Sequence, residues 1–310
     1  MIPVPDRLSD LKRVSWRDQD LFVRMTSETG QIGWLYYFPF LELLARADAQ
    51  TLLWEIHDGA LCLYRLRHDD DAVRLHLYLP PFPNSDAALI HAVERVRAFT
   101  GKPLAHLEWA DGRHKDWVRT MGFETRPMEE EFIYDTALVQ AAAGKDFERL
   151  RKEMNRARRV PGLEVRDFRR GDEDDCWALM RQWQKAKQAH GLKVGLGYKR
   201  RCLERAFAFG EQLQGEVVTV DGRICALTFG GAITASHGNI FIAISNNEVP
   251  GVAYLQRHHF MAQRRHIAFF NDSTNVFRSG LTEVKRAFRP VAMNTLYAAR
   301  IKGTVARATG

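Results

Sequence analysis

Two short segments near the C-terminus of this 310-residue chain carry residue types suited to group transfer. Asn271-Asp272 closes the apolar run HIAFFN. A carboxylate at a strand end that faces a cleft is well placed to orient an amine or take a proton. The same dipeptide also suits an Asx turn or a helix cap, which needs no chemistry. Further on, Lys285 lies in LTEVKRAF beside the inward stripe of Leu281, Val284 and Phe288. From that edge an ammonium either reaches a cleft and holds a carboxylate or phosphate, or snorkels to solvent. Asp272, Lys285 and Asn271 are therefore the catalytic candidates. Glu216, His237, Tyr198 and Arg278 are candidates for substrate binding, with core packing or a satisfied structural role as the competing reading.

A second kind of chemistry sits in residues 145–170, KDFERLRKEMNRARRVPGLEVRDFRR, which hold ten Lys/Arg against five acids. On a helix, Arg151, Asn155 and Arg158 share one face, with Lys152 and Arg156 in the adjacent stripe. Arginine forks and lysine point charges in that pattern suit a phosphate backbone or a headgroup. Lys145, Arg151, Lys152, Asn155 and Arg158 are the candidate contacts to tRNA or another anion. A solvated helix with intrachain ion pairs is the alternative.

Other chemistries lack their residues. The chain has no GxSxG, HExxH, Walker A or dinucleotide fingerprint. Cys62, Cys176, Cys202 and Cys225 are far apart and form no CxxC, so reduced, buried thiols are expected and no metal site or cofactor. In SNNEVPGVAYLQRHH, where a coenzyme A enzyme has a glycine-rich turn, the only glycine is Gly251. That counts against ordinary pyrophosphate binding there. The net charge of +7 favours an anionic partner. No apolar run approaches the roughly 20 residues that span a bilayer. A cytoplasmic protein is expected, with any membrane contact peripheral and at the inner face.

The elements that must position these residues repeat. Residues 32–47 look helical around Pro39. Asp58-Gly59 joins two strands, a third strand follows, and Ser85-Asp86 opens a helix that Gly101 closes. LAHLEW, RHKDWVRTMG and FETRPMEEEFIYD then read as strand, helix and a strand broken by Pro127. The second half repeats the order around Asp221-Gly222 and ends on VAMNTLYAARI as a strand. The expected fold is α+β: two fused acetyltransferase-like (GNAT) domains, each a mixed, mostly antiparallel sheet flanked by helices. The expected division is 1–135 and 136–310, with the active site in the second domain.

The chain resembles the catalytic portion of the phosphatidylglycerol lysyltransferase-like proteins. The resemblance rests on Tyr134, Asp135, Gly144, Lys145, Arg151, Lys152 and Asn155, and on Asp272, Gly280, Leu281, Lys285 and Pro290. YYFPF and YLPPFP support it in the first half. The family resembles tandem acetyltransferase-type domains and the Fem-type peptidyl transferases. The resemblance implies transfer of an aminoacyl group from charged tRNA to a hydroxyl or amine of a lipid headgroup, small molecule or peptide. Thr282 stands where the family commonly has arginine after Gly-Leu, and Arg278 is the candidate to supply that guanidinium. Asp272 is then expected to orient the incoming amine, Lys285 to anchor a carboxylate or phosphate, and Lys285→Ala to abolish turnover with folding retained. The alternatives are an acyl-CoA-dependent N-acyltransferase and a non-catalytic tRNA- or headgroup-binding protein. A pantetheine-width gap between splayed strands would favour the first. Asp272 and Lys285 facing bulk solvent would favour the second.

Overall fold

A computed structural model describes residues 3–69, 72–189, 196–208, 213–274 and 279–305. The first elements are β1 (Lys12–Arg13), α1 (Gln19–Glu28), α2 (Phe38–Ala45), β2 (Gln50–His57), β3 (Ala60–Asp69) and β4 (Ala72–Phe82). They continue with α3 (Asp86–Thr100), β5 (Ala105–Ala110), α4 (Lys115–Thr120) and β6 (Glu124–Asp135). Then follow α5 (Thr136–Ala141), α6 (Glu148–Arg158), β7 (Leu163–Asp167), α7 (Glu173–Ala189) and α8 (Leu196–Ala208). The last are β8 (Gln214–Val220), β9 (Arg223–Ala232), β10 (His237–Ser245), α9 (Val252–Ala262), β11 (Phe269–Thr274), α10 (Ser279–Ala287) and β12 (Ala292–Ile301).

Local sequence explains much of this. Asp58 and Gly59, and again Asp221 and Gly222, all have positive φ, which a two-residue turn of the type that closes twisted hairpins requires. His57 thereby pairs with Ala60 and Val220 with Arg223. Ser85 caps α3 by accepting a hydrogen bond from the Ala88 amide at 3.1 Å, and Gly101 ends the helix at φ 67°. Pro127 does not break its strand: β6 runs through it. Pro127 is exposed, and an exposed strand position can do without the missing N–H.

The chain forms two compact units, Met1–Glu131 with Asn294–Gly310, and Phe132–Met293. The two-unit, mixed α+β architecture agrees with tandem acetyltransferase-like domains. The last strand differs from expectation: β12 belongs with the first unit. It pairs antiparallel with β5 through Tyr297↔Ala110 and Ala299↔Leu107, and it buries Ala299 and Ile301 in that unit's core. Strand pairing, not sequence proximity, decides its place. In the first unit the strands run in the order β1-β2-β3-β4-β5-β12. Their core faces α3 through Leu89, Val93 and Val96.

In the second unit the order is β11-β10-β9-β8-β7. All neighbours are antiparallel except β10 and β11, which are parallel. A core of Phe132, Tyr134, Leu150, Met154, Phe260, Phe270 and Phe288 draws residues from β6, α6, α9, β11 and the position just after α10. The four cysteines are buried and unbridged. No helix among the described residues is long and apolar enough to cross a membrane.

Candidate active site

The parallel pairing in the second unit is short. Its register covers His237↔Phe269, Gly238↔Phe270 and Asn239↔Asn271, while β10 continues to Ser245. Asn239 marks the last pair by donating from Nδ2 to the Asn271 carbonyl at 3.0 Å. Ser273, two residues later, has φ 55°, a left-handed conformation uncommon outside glycine. Asn271 sustains it, because its Oδ1 accepts a hydrogen bond from the Ser273 amide at 2.7 Å.

That local turn determines what Lys285 can do. In an extended strand successive residues point to opposite sides. The left-handed Ser273 breaks the alternation, and the carbonyls of Asp272, Ser273 and Thr274 converge on one point. Lys285 Nζ donates to all three, at 3.2 Å to Ser273 and 2.8 Å to Thr274, with the closest contact to Asp272. An ammonium has three N–H donors, so three carbonyls match it. The Phe132 ring lies 5.4 Å from the same nitrogen, and the Tyr134 hydroxyl donates to the Lys285 carbonyl at 3.2 Å.

The Asp272 carboxylate is held by Arg257, whose Nε donates to Oδ2 at 3.1 Å, and lies 3.8 Å from Lys285 Nζ. Arg257 comes from α9, where its Nη1 also donates to the Ala253 carbonyl at 3.2 Å. The sequence reading missed Arg257, which sits in VAYLQRHH and carries no motif. The one signal in the sequence is an arginine with apolar residues, Ala253 and Met261, one helical turn away on each side. Asn271, Asp272 and Lys285 are thus brought together as expected, but inward, at 1%, 3% and 2% exposure. Lys285 does not snorkel to solvent. Burial, then the charge of Asp272, pushes the Tyr134 phenol well above its usual pKa, so it remains a neutral donor.

The other candidates lie apart from this cluster. Glu216 does not face an open cleft. Its carboxylate accepts from Arg264 at 2.6 Å and meets His259 Nδ1 at 2.8 Å. Buried in β8, it needs these hydrogen-bond partners, and α9 with the residues just after it supplies them. His237 stacks on Phe269, centroids 5.2 Å apart, and bonds Ser236 through Nδ1 at 2.9 Å. Tyr198 is half-buried on α8. Arg278 lies outside the described residues.

The basic segment is the helix expected. Leu150, Met154 and Ala157 form its buried face, while Lys145 just before it and Lys152, Asn155 and Arg158 on it are exposed. Arg151 is half-buried and holds the turn before α6, donating to the carbonyls of Ala142 and Gly144 at 2.6 and 2.7 Å. Part of the positive charge is paired: Arg156 with Glu153 at 3.0 Å, and Arg149 with Glu283 at 2.9 Å.

Helix α6 also lies against the start of α9. Gly251 precedes α9 at φ 72°, and a Cβ there would overlap the Glu153 carbonyl of α6 and approach the Ala157 amide. Close backbone approach therefore requires glycine at this position. Beside it, the exposed Glu248 carboxylate accepts from Asn246 Nδ2 at 3.4 Å.

A family model over two thirds of the chain places it in the acyl- and aminoacyl-transferase-like superfamily. More narrowly, the chain belongs to the family described as phosphatidylglycerol lysyltransferase, C-terminal, which matches residues 37–245. No curated protein matches the sequence. Among solved structures, it is similar to a conserved protein of unknown function from Bacteroides thetaiotaomicron VPI-5482, with TM-score 0.79 and 19% identity over 94% of this chain and 99% of that one. It is also similar to L-PGS from Bacillus licheniformis, with TM-score 0.66 and 16% identity over 96% of this chain and 94% of that one. FemX gives TM-score 0.63 and 10% identity over 92% of this chain and 96% of that one. At these identities the likeness is one of fold.

Proposed function

We propose that the protein transfers an aminoacyl group from charged tRNA to a hydroxyl or amine on a lipid headgroup, small molecule or peptide. The observation that carries this reading is the packing of α6 against Gly251 at the start of α9. An acyl-CoA enzyme of this fold needs that helix start open, because its amides receive the pyrophosphate. Here a helix backbone lies against it and Glu248 adds negative charge. The same helix exposes Lys152, Asn155 and Arg158 outward, which suits a phosphate backbone. A charged-tRNA donor also implies work in the cytoplasm. The family description names a lysyl donor and a phosphatidylglycerol acceptor, and Thr282 marks a departure that can alter either.

In the reaction, the acceptor oxygen or nitrogen forms a bond to the acyl carbon. The ester bond to the terminal ribose breaks, and the acceptor's proton passes to the ribose oxygen. The ester is already activated, so the protein mainly supplies position and charge. Arg257 and Lys285 both lie against the Asp272 carboxylate, which sets two basic side chains beside the end of β11. Their charge favours an oxyanion developing there. In this reading Asp272 and Lys285 act as positioning residues that set the end of β11, and Asn271 fixes the Ser273 turn. The expectation that Asp272 touches the incoming amine gives way to this role, because its carboxylate is already engaged.

Isothermal titration separates the donors. Charged tRNA should bind with strong salt dependence, and acetyl-CoA should give no heat. Micromolar acetyl-CoA binding, without tRNA binding, would overturn the proposal.

A further inference from the structure

The first unit buries a polar cluster that the proposed transfer does not use. Asp111 and His114 sit beneath an exposed turn made by Gly112 and Arg113. Asp111 Oδ1 accepts three hydrogen bonds, from the amides of Arg113 and His114 at 3.0 and 3.2 Å and from His114 Nδ1 at 2.7 Å. A proton on Nδ1 leaves His114 Nε2 as an acceptor, and Gln31 Nε2 lies 3.5 Å from it. Glu131, fully buried, accepts from the Trp34 amide at 3.0 Å and from Asn294 Nδ2. The hydrogen bonds to Asp111 Oδ1 thus come from two backbone amides and the His114 ring.

Three buried oxygens in this cluster have no hydrogen-bond partner among the described residues: Asp111 Oδ2, Gln31 Oε1 and the Tyr36 hydroxyl. The residues are 2%, 3% and 2% exposed. They form one neighbourhood: Gln31 adjoins His114, His114 bonds Asp111, and the Tyr36 and His114 rings are 6.2 Å apart. Burial, and then the charge of Asp111, raises the Tyr36 pKa well above its usual value, so its oxygen stays a neutral phenol facing the acids. Glycine lines the site: a Cβ on Gly33 would be 3.4 Å from the Tyr36 ring and 3.7 Å from Glu131 Oε2. A buried polar group left without a partner costs about 1–3 kcal/mol. Three in one place, one of them a carboxylate oxygen, call for a ligand that donates and carries positive charge.

We propose that the first unit holds a second ligand site, for a primary ammonium, formed by Asp111, Gln31 and Tyr36 beneath the Gly112 turn. An ammonium offers three N–H donors to three acceptors and balances the buried Asp111 carboxylate. An anion would be repelled by Asp111 and Glu131. The site does not depend on the transfer reaction proposed above. Its ligand is either a free amine or an amine carried on a larger acceptor.

The test uses the full chain in thermal-shift and calorimetric titrations with ethylammonium chloride. Tetramethylammonium chloride, which has no N–H, and sodium and potassium chloride at equal ionic strength serve as comparisons. Larger primary amines that end in an aminoethyl group then separate free from carried ligands by size. Ethylammonium should raise the unfolding midpoint saturably and the comparison salts should not. Asp111→Asn, which keeps the Oδ1 bonds, should weaken binding about tenfold or more. Tyr36→Phe should weaken it less, while leaving the ligand-free midpoint unchanged or raised, because it removes an unpaired buried hydroxyl. Equal shifts from all the salts, or unchanged ethylammonium affinity in both variants, would overturn the proposal. So would a fall in the ligand-free midpoint of Tyr36→Phe with no ethylammonium effect in the parent.

Discussion

Replacing Lys285 with methionine probes the turn at the end of β11 most sharply. Methionine approximates the length and volume of the lysine stem but donates no hydrogen bond. Three carbonyls, of Asp272, Ser273 and Thr274, would lose the ammonium that gathers them. Each buried acceptor left unmade costs about 1–3 kcal/mol, although the strand end would relax and recover part of it. Breaking a buried charged cluster by removing one partner typically costs about 3–5 kcal/mol. Asp272 would retain Arg257, which argues against the sum of all these terms. The expected loss is about 3–5 kcal/mol, a large share of the roughly 5–15 kcal/mol that stabilises a domain. Urea denaturation measures it, and hydrogen exchange of residues 269–274 should accelerate locally. Lys285→Gln, with two N–H donors, should fall between methionine and lysine. The geometry thereby changes the sequence-based expectation for Lys285→Ala: lost turnover should come with lost stability. A Lys285→Met protein within about 1 kcal/mol of the parent, with unchanged exchange in β11, would refute this reasoning.

Other perturbations test separate parts. Gly251→Ala should destabilise the second unit by about 2–4 kcal/mol, because both the positive φ and the Glu153 carbonyl oppose a methyl group, and urea unfolding would register it. Lys152→Glu with Arg158→Glu should weaken tRNA binding and flatten its salt dependence, with the unfolding midpoint unchanged, since both residues are exposed. Hydrogen bonds from Arg166 hold the Asp172 carboxyl below its usual pKa of 3.8. A depressed folded-state pKa gives stability that is present above the unfolded value and lost as pH falls through the folded one. Asp172→Asn should therefore remove part of the loss of stability seen below about pH 4 in acid titrations. Burial pushes the Cys62 and Cys176 thiols up to about 12 and Cys202 and Cys225 up to about 11. A thiol reagent at pH 8 should therefore label none of the four in the native protein and all four after unfolding.

The features visible in the sequence were local ones. Both Asp-Gly hairpins, the Ser85 cap and the amphipathic α6 follow from residues adjacent in the chain. The nearness of Asp272 and Lys285 was also legible, through two neighbouring segments and the family pattern around them. Their surroundings were not. Arg257 lies on a different element, and nothing in VAYLQRHH marks it as the partner of Asp272. The left-handed Ser273 carries no glycine signal, because the Asn271 side chain stabilises it instead. Glu216 read as a cleft residue because its partners, His259 and Arg264, lie more than forty positions away. The membership of β12 depends on which sheet edge is open, and pairing with β5 decides that. The role of Gly251 is likewise set by the distant carbonyl of Glu153.

The most direct measurement is transfer itself. The purified chain is incubated with tRNA charged in turn with each of the twenty radiolabelled amino acids, together with lipid extract and small amine and hydroxyl acceptors. Products are identified by mass spectrometry, and a parallel arm supplies radiolabelled acetyl-CoA. The expected result is an aminoacylated acceptor from at least one charged tRNA, and no product from acetyl-CoA. Label remaining on tRNA for all twenty amino acids, while acetyl-CoA is consumed into product, would contradict it.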